Sequence, residues 1–286
     1  MDNIGIIGNG FVGKAVKESF KRYFEVFVFD LDKRKANVDN IKELVSKCKM
    51  IFLCLPTPMD EDGSCHLGIV ESTLKQVDEW CDEMCYYGLA QKTIIIKSTI
   101  SPGTTERWNK EYKHIDIAFN PEFLTEANSI EDFKNQNRII IGSTRKVGAK
   151  IKSIYSKVFP KVPIIKTSST IAEMIKYFTN CYLSTKVSFA NEMYQICESL
   201  DIDYDKVIEY AVRDERIGSS HLNVPGPDGD FGFGGHCFPK DINALINLAE
   251  KQGLGLDINV LKATLDTNNR VRKNRDWEQQ KGRAVI

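Results

Sequence analysis

The most reactive stretch of this chain is Gly232-Phe233-Gly234-Gly235-His236-Cys237-Phe238-Pro239-Lys240-Asp241, a cysteine set among glycines and charges. A cysteine kept only for packing is ordinarily flanked by an apolar pattern, which this one lacks. The glycines before Cys237 give a loop whose backbone approaches a ligand closely. Pro239 is expected to start a helix, placing Cys237 just ahead of its N-terminus with Lys240 nearby, and both favour thiolate over thiol. Asp241, in the first turn, is suited to accept a proton or orient a water. His236 offers a base for a thiol–imidazole pair, but adjacent residues in one loop usually diverge.

A second group lies on a long helical pattern over residues 171–200, where Lys176 and Asn180 fall one turn apart among Tyr177, Phe178, Tyr182 and Leu183. In apolar surroundings such a pair can donate to a developing oxyanion, with Lys176 supplying charge. The alternative is a lysine whose stem lies along apolar surface while its head reaches water. A third group is Asn120-Pro121-Glu122-Phe123-Leu124-Thr125-Glu126. Proline confines Asn120 to extended backbone, so Asn120 is expected to cap a short helix starting at Pro121. Glu122 and Glu126 would then share one helix face. Acidic residues also favour a first turn for its dipole alone.

Near the N-terminus, Gly8-Asn9-Gly10-Phe11-Val12-Gly13 fits G-x-G-x-x-G between a strand and an amphipathic helix. Gly8 permits the turn, Gly10 lets backbone approach a pyrophosphate, and Gly13 lets helix pack on strand, with Phe11 and Val12 opening the helix. The next strand ends at Asp30, where a carboxylate accepts ribose hydroxyls and repels the extra phosphate of NADP. NAD is therefore the expected cofactor, although Lys33 and Arg34 nearby leave some room for NADP. Two further strand ends carry hydroxyls beside proline, at Thr57 and at Thr99. Ser101 looks like a helix cap with Pro102 at the first helical position; Thr99 has no such explanation and sits where a nicotinamide or reacting group would lie.

These groups need a frame. Short β-branched runs at 4–7, 26–29, 50–54, 93–97, 115–119, 138–141 and 162–166 alternate with helical periodicity, as at 11–23, 70–80 and 144–159. That alternation predicts an α/β fold with a mostly parallel sheet, a Rossmann-type dinucleotide-binding domain over residues 1–166. Residues 167–286 are expected to form a mainly helical central domain, with helical pattern resuming over 241–275 and breaking near Gly253 and Gly255.

Of 286 residues, 39 are basic and 39 acidic, so no long-range field recruits nucleic acid or an anionic membrane. No apolar run is long enough to span a bilayer, and the run before Gly8 has no basic flank or cleavage site. The 8 cysteines are irregularly spaced, and Cys81 with Cys85 lacks the second pair a zinc site needs. A cytoplasmic protein with reduced thiols and no metal is expected.

Taken together, these residues resemble the nucleotide-sugar dehydrogenases, the UDP-glucose/GDP-mannose dehydrogenase family. The glycine loop is generic, whereas residues 120–124 and 232–241 and the placement of Lys176, Asn180 and Asn191-Glu192 on one helix are specific to that family. The resemblance implies a four-electron oxidation of a nucleotide-sugar C6 alcohol to a uronic acid, UDP-glucose being the expected substrate, with two NAD consumed. It implies that Cys237 carries a thioester, that Lys176 and Asn180 stabilise oxyanions, and that Asp241 and Thr99 handle a proton or a water. Glu122 would assist thioester hydrolysis, with Glu126 behind it. Cofactor contacts are expected from Gly8, Gly10, Phe11, Val12, Gly13, Asp30, Thr57 and Thr99, and substrate contacts from Phe123, Leu124, Lys176, Asn180, Gly234 and Lys240. A homodimer paired through the long helix is implied.

Relatives usually continue into a further domain that completes the nucleotide site, which this chain is expected to lack. Residues 221–229, with Arg216, Arg270 and Arg272 as partners for a diphosphate, are candidates to take over part of that task. The rival readings are a hydroxyacid dehydrogenase of the 6-phosphogluconate type, which needs no cysteine, and a catalytically idle NAD-binding subunit.

Overall fold

A computed structural model describes residues 3–85, 91–251 and 256–286. Each apolar run forms a strand: β1 Asn3–Ile7, β2 Glu25–Phe29, β3 Met50–Leu53, β4 Lys92–Ile96, β5 Ile115–Phe119, β6 Ile139–Gly142 and β7 Ile164–Thr167. The helices among them are α1 Phe11–Phe20, α2 Ile41–Lys47, α3 Gly68–Cys85, α4 Thr104–Glu111, α5 Ser129–Lys134 and α6 Arg145–Val158. Then come α7 Ser169–Ser199, α8 Tyr204–Ala211, α9 Cys237–Lys251 and α10 Asn259–Val271. The expected break near Gly253 and Gly255 lies outside the described residues.

The strands form one sheet in the order β2-β1-β3-β4-β5-β6-β7, parallel except where β5 meets β6. Period-2 alternation sends side chains to opposite faces. Ile51, Leu53, Ile94, Ile96, Ile115 and Ile117 pack on one side against α2 and α3. Phe52, Ile95 and Ala118 pack on the other against α1 and α6. A sheet covered on both faces explains why its strands read as continuous apolar runs. The order in which strands are added reverses between β1 and β3, two parallel neighbours, which makes the carboxyl ends of those strands the expected ligand crevice.

The chain divides into two compact units, one of Met1–Thr57 with Leu67–Lys176 and one of Pro58–His66 with Tyr177–Ile286. This division falls inside α7. In the second unit, residues 58–66 are tied to its end, with the Met59 amide donating to Ala284 at 2.8 Å and Lys251 meeting Asp62 at 2.8 Å.

Two local expectations are corrected. Ser101 is not a cap: its carbonyl accepts from the Thr104 amide at 3.1 Å, and α4 follows from Gly103 at φ 91°. The cap comes from far along the chain. Buried Glu173 of α7 accepts from the amides of Gly103 at 2.6 Å and Thr105 at 2.9 Å, and from the Thr105 hydroxyl at 2.5 Å. Likewise no helix starts at Pro121; α5 begins at Ser129. Asn120 cannot cap because its side chain is already spent, Nδ2 donating to the Ile140 carbonyl at 2.6 Å and Oδ1 accepting from Lys97 at 3.0 Å and from Tyr155. Glu122 and Glu126 therefore share no helix face.

Glu173→Ala strands two backbone donors at the start of α4, one of them buried. It is expected to cost about 2–4 kcal/mol, seen as a lower denaturation midpoint at unchanged slope. Glu173→Gln, which keeps an acceptor oxygen, is expected to lose less.

Candidate active site

The first unit presents a phosphate cradle. After β1 the chain turns at Gly8, with φ +92°, where a Cβ would stand 2.4 Å from the Cys54 carbonyl oxygen; one on Gly13 would stand 1.9 Å from the Gly8 carbonyl oxygen. Packing of the chain on itself therefore demands both glycines. Gly10 differs, since a Cβ there meets nothing within 4 Å. The fold does not need glycine at that place, whereas a phosphate resting on the backbone would. Gly10 is also the N-cap of α1 and brings no side chain to the first-turn amides, which suits an anion. Phe11 and Val12 follow in that first turn. The residues present thus fit a dinucleotide.

Asp30 stands at the end of β2, where its carboxylate accepts from the amides of Asn9 at 2.6 Å and Asp32 at 2.8 Å. These bonds orient it and leave lone pairs for two hydroxyls. The nearby cations are engaged elsewhere: Arg34 with Asp32 at 2.9 Å, and Lys33 with the Asp39 carbonyl. Thr57 and Thr99 meet at the ends of β3 and β4, the Thr57 hydroxyl donating to the Thr99 carbonyl at 2.8 Å.

Beyond β5 the Asn-Pro-Glu segment carries an ion pair. Lys176 Nζ donates to the Glu122 carbonyl at 2.6 Å and to its carboxylate at 3.0 Å, and the Leu124 amide donates to the same carboxylate at 2.7 Å. Both side chains are nearly withdrawn from solvent, at 4% and 10% exposure. Burial pushes the Glu122 carboxyl upward, but the Lys176 charge and these bonds outweigh it and hold it below the ordinary range. Phe123 lies under the pair, its ring centre 5.4 Å from Lys176 Nζ, and Leu124 packs into the core. Glu126 is exposed, four residues further along this segment. Lys176 is thus no surface lysine.

In the second unit α9 begins at Cys237 itself, two residues earlier than Pro239 suggests, so the half-buried cysteine sits within the first turn. One turn on, buried Asp241 accepts from Asn180 Nδ2 at 2.6 Å and from Lys240. Burial works against the Lys240 charge, but Asp241 outweighs it, with smaller help from Cys65 and Cys237, so Lys240 stays firmly protonated. A lysine held charged within electrostatic range of Cys237 favours thiolate there.

The glycine loop ahead of Cys237 is fixed through its backbone. The Gly232 amide donates to Asn191 Oδ1 at 3.0 Å, the Phe233 amide to Asn268 Oδ1 at 2.7 Å and the Gly235 amide to Asp276 at 3.0 Å. A Cβ on Gly234 would stand 2.2 Å from Arg272 Nη2. Sequence reasoning missed Asn268 and Asp276, and also Glu173 and Lys97. A polar residue recurring on the inner face of α10 was the available signal for Asn268. Arg272, expected at a diphosphate, is occupied by Asp228 at 2.7 Å and Asp276 at 3.2 Å. Arg216 pairs with Asp214 at 2.5 Å, and Arg270 meets the Thr267 hydroxyl at 3.0 Å. His236 lies in the turn just before α9. No helix among the described residues is long and apolar enough to cross a membrane.

Comparison with known proteins places the chain. Residues 36–159 match the NAD binding domain of the UDP-glucose/GDP-mannose dehydrogenase family, and residues 170–270 match its central domain. The chain belongs to that family, and its first unit carries the family's NAD-binding domain. It is 34% identical over 250 residues to UDP-glucose 6-dehydrogenase TuaD of Bacillus subtilis, which covers 85% of this chain and 51% of that protein. The chain thus spans about half the length of this curated relative. Among solved structures, a UDP-glucose dehydrogenase from Pyrobaculum islandicum superposes with a TM-score of 0.84 at 28% identity, over 94% of this chain and 68% of that one. A 3-hydroxyisobutyrate dehydrogenase of Mycobacterium tuberculosis gives a TM-score of 0.74 at 15% identity over 94% and 93% of the two chains, a likeness of fold alone.

Gly10→Ala and Gly13→Ala separate the ligand's needs from those of the fold. Gly10→Ala is expected to leave the melting temperature within about 2 °C of wild type while weakening NAD binding tenfold or more. Gly13→Ala is expected to lower the melting temperature as well, because its methyl meets fixed backbone. Calorimetric titration and thermal melts check both.

Proposed function

We propose that this chain acts in the NAD-dependent four-electron oxidation of a nucleotide-sugar C6 alcohol to the uronic acid, with UDP-glucose as substrate and a thioester on Cys237. The observation that carries the proposal is Cys237 in the first turn of α9, beside a lysine kept charged by buried Asp241. Bound NAD supplies the hydride acceptor, one equivalent for each two-electron step. The chain's own residues do the rest. As the alcohol passes its hydroxyl proton to Asp241 and loses the C6 hydride, Lys176 and Asn180 donate to the oxygen that carries the growing charge. Cys237 sulfur, as thiolate, then adds to the aldehyde carbon, and the same donors hold the oxygen of the thiohemiacetal. Loss of the second hydride leaves a thioester, and a water positioned by Thr99 and Asp241 attacks it with help from Glu122. The thiolate departs and the carboxylate is released.

Dimerisation through α7 completes the reading. Phe178, Tyr182, Phe189, Ile196 and Leu200 leave between 49% and 69% of their surface exposed, at helical spacing. Phe178 and Tyr182 stack with ring centres 6.2 Å apart. An apolar stripe of this kind marks an association surface. A reducing cytoplasm suits a thiol nucleophile.

Wild type is expected to form two NADH per sugar consumed and to show an adduct on the Cys237 peptide by mass spectrometry during turnover. Cys237→Ser is expected to abolish the overall oxidation while retaining NAD binding. One NADH per substrate with no adduct would transfer the chain to the hydroxyacid-dehydrogenase reading. Phe178→Asp with Phe189→Asp is expected to yield monomers in analytical ultracentrifugation where wild type sediments as a dimer; an unchanged sedimentation coefficient would rule out this face.

A further inference from the structure

Lys97 directly follows β4 and is 3% exposed. Its Nζ donates to Asn120 Oδ1 at 3.0 Å and to the Pro121 carbonyl at 3.2 Å, and lies 5.5 Å from the centre of the Phe133 ring. Asn120 is held at the same time by the Ile140 carbonyl and the Tyr155 hydroxyl, so what Lys97 adds is a tie from this side chain and from the Pro121 carbonyl to the end of β4. A buried ammonium costs solvation that an apolar side chain of equal volume would not. Its placement therefore answers a demand other than packing. The next residue along is Glu122, held at its carbonyl and carboxylate by Lys176. Asn120, Pro121 and Glu122 thus hang in sequence from two buried ammoniums, one at the end of a strand and one on a helix.

We propose that Lys97 is a positioning residue for the Glu122–Lys176 pair, fixing where Glu122 presents its oxygens by tying Asn120 and Pro121 to the end of β4. The inference deepens the reading that this pair acts on the reacting oxygen, and rests on it. The charged and titratable groups acting on Lys97 are Cys54 after β3, Glu122 and Lys176 of α7, while Tyr155 of α6 meets the same Asn120 oxygen that Lys97 does. Burial lowers Lys97 to about 8, Cys54 and Glu122 opposing and Lys176 assisting the fall. Burial also raises Cys54 to about 12 and Tyr155 above its usual range, so both stay protonated at neutral pH. Above about pH 8 Lys97 loses its charge, which weakens its hold on the segment.

The test uses the full chain labelled with carbon-13 at the lysine ε position. The Lys176 ε-carbon signal is expected to shift with a midpoint near pH 8 in wild type and to lose that inflection in Lys97→Met. In turnover, Lys97→Met is expected to lower kcat about 10–100-fold with KM for NAD changed less than about twofold, and to remove the alkaline fall near pH 8. Tyr155→Phe, which takes only a hydroxyl from Asn120, is expected to keep kcat within about threefold and retain that fall. A wild-type Lys176 signal indifferent to pH around 8 overturns the proposal, as does Lys97→Met with full kcat and an unchanged pH profile. Should Lys97→Met not fold, the wild-type spectra decide alone. A coupled Lys176 signal in a protein that oxidises no sugar nucleotide upholds the positioning and removes the reaction.

Discussion

Burying an ammonium is the constraint on which the chemistry-bearing parts of this chain depend. Lys97, Lys176 and Lys240 are 3%, 3% and 5% exposed. A buried charge without compensation is too costly to persist, so each lysine obliges the fold to bring oxygen to it. Lys176 takes the carbonyl and carboxylate of Glu122, Lys240 takes Asp241, and Lys97 takes an amide oxygen and a carbonyl. The obligation is mutual. Removing either carboxylate leaves a buried cation behind, so part of any loss on substituting Glu122 or Asp241 reflects that orphaned charge. Kinetic comparisons there are read best against the isosteric amides.

The loop before Cys237 obeys a different rule with the same logic. A glycine-rich segment has no ladder to satisfy its backbone amides, yet buried amides must be satisfied. Side chains do it here: Asn191 from α7, Asn268 from α10 and Asp276 from the turn beyond. Arg272 in turn neutralises Asp276 and Asp228. Rigidity of this loop is therefore a property of residues up to 41 positions away, not of the glycines themselves.

That separation in sequence marks what could be read in advance. The seven strands of the sheet were legible because a doubly covered sheet writes its burial directly as β-branched runs. The Cys237 loop, the Gly8–Gly13 turn and the Lys176/Asn180 spacing were legible because each is local. Partners were not. Glu122 and Lys176 are 54 positions apart, Asn180 and Asp241 61. Asn120 looked like a cap because capping is local chemistry, and lost that role to three distant groups. Ser101 lost its role to Glu173, 68 positions beyond Thr105. Lys97 drew no functional reading at the end of the run 93–97, since nothing within its own segment reports that it is buried.

Within the proposed reaction the pairing of donors has an energetic consequence. Lys176 and Asn180, the groups assigned to the developing oxyanion, each already serve a carboxylate. Donors held in this way need little reorganisation when charge appears, which is the main source of electrostatic rate enhancement. The oxyanion must nevertheless share them with Glu122 and Asp241, whose negative charges oppose it. Protonating the neighbouring carboxylate removes that competition. A proton leaving the alcohol and arriving on Glu122 or Asp241 would therefore strengthen the hold on the oxygen it came from. In such a site the acid–base groups and the oxyanion donors cannot be separate sets, and substitution of one is expected to alter the apparent titration of the other.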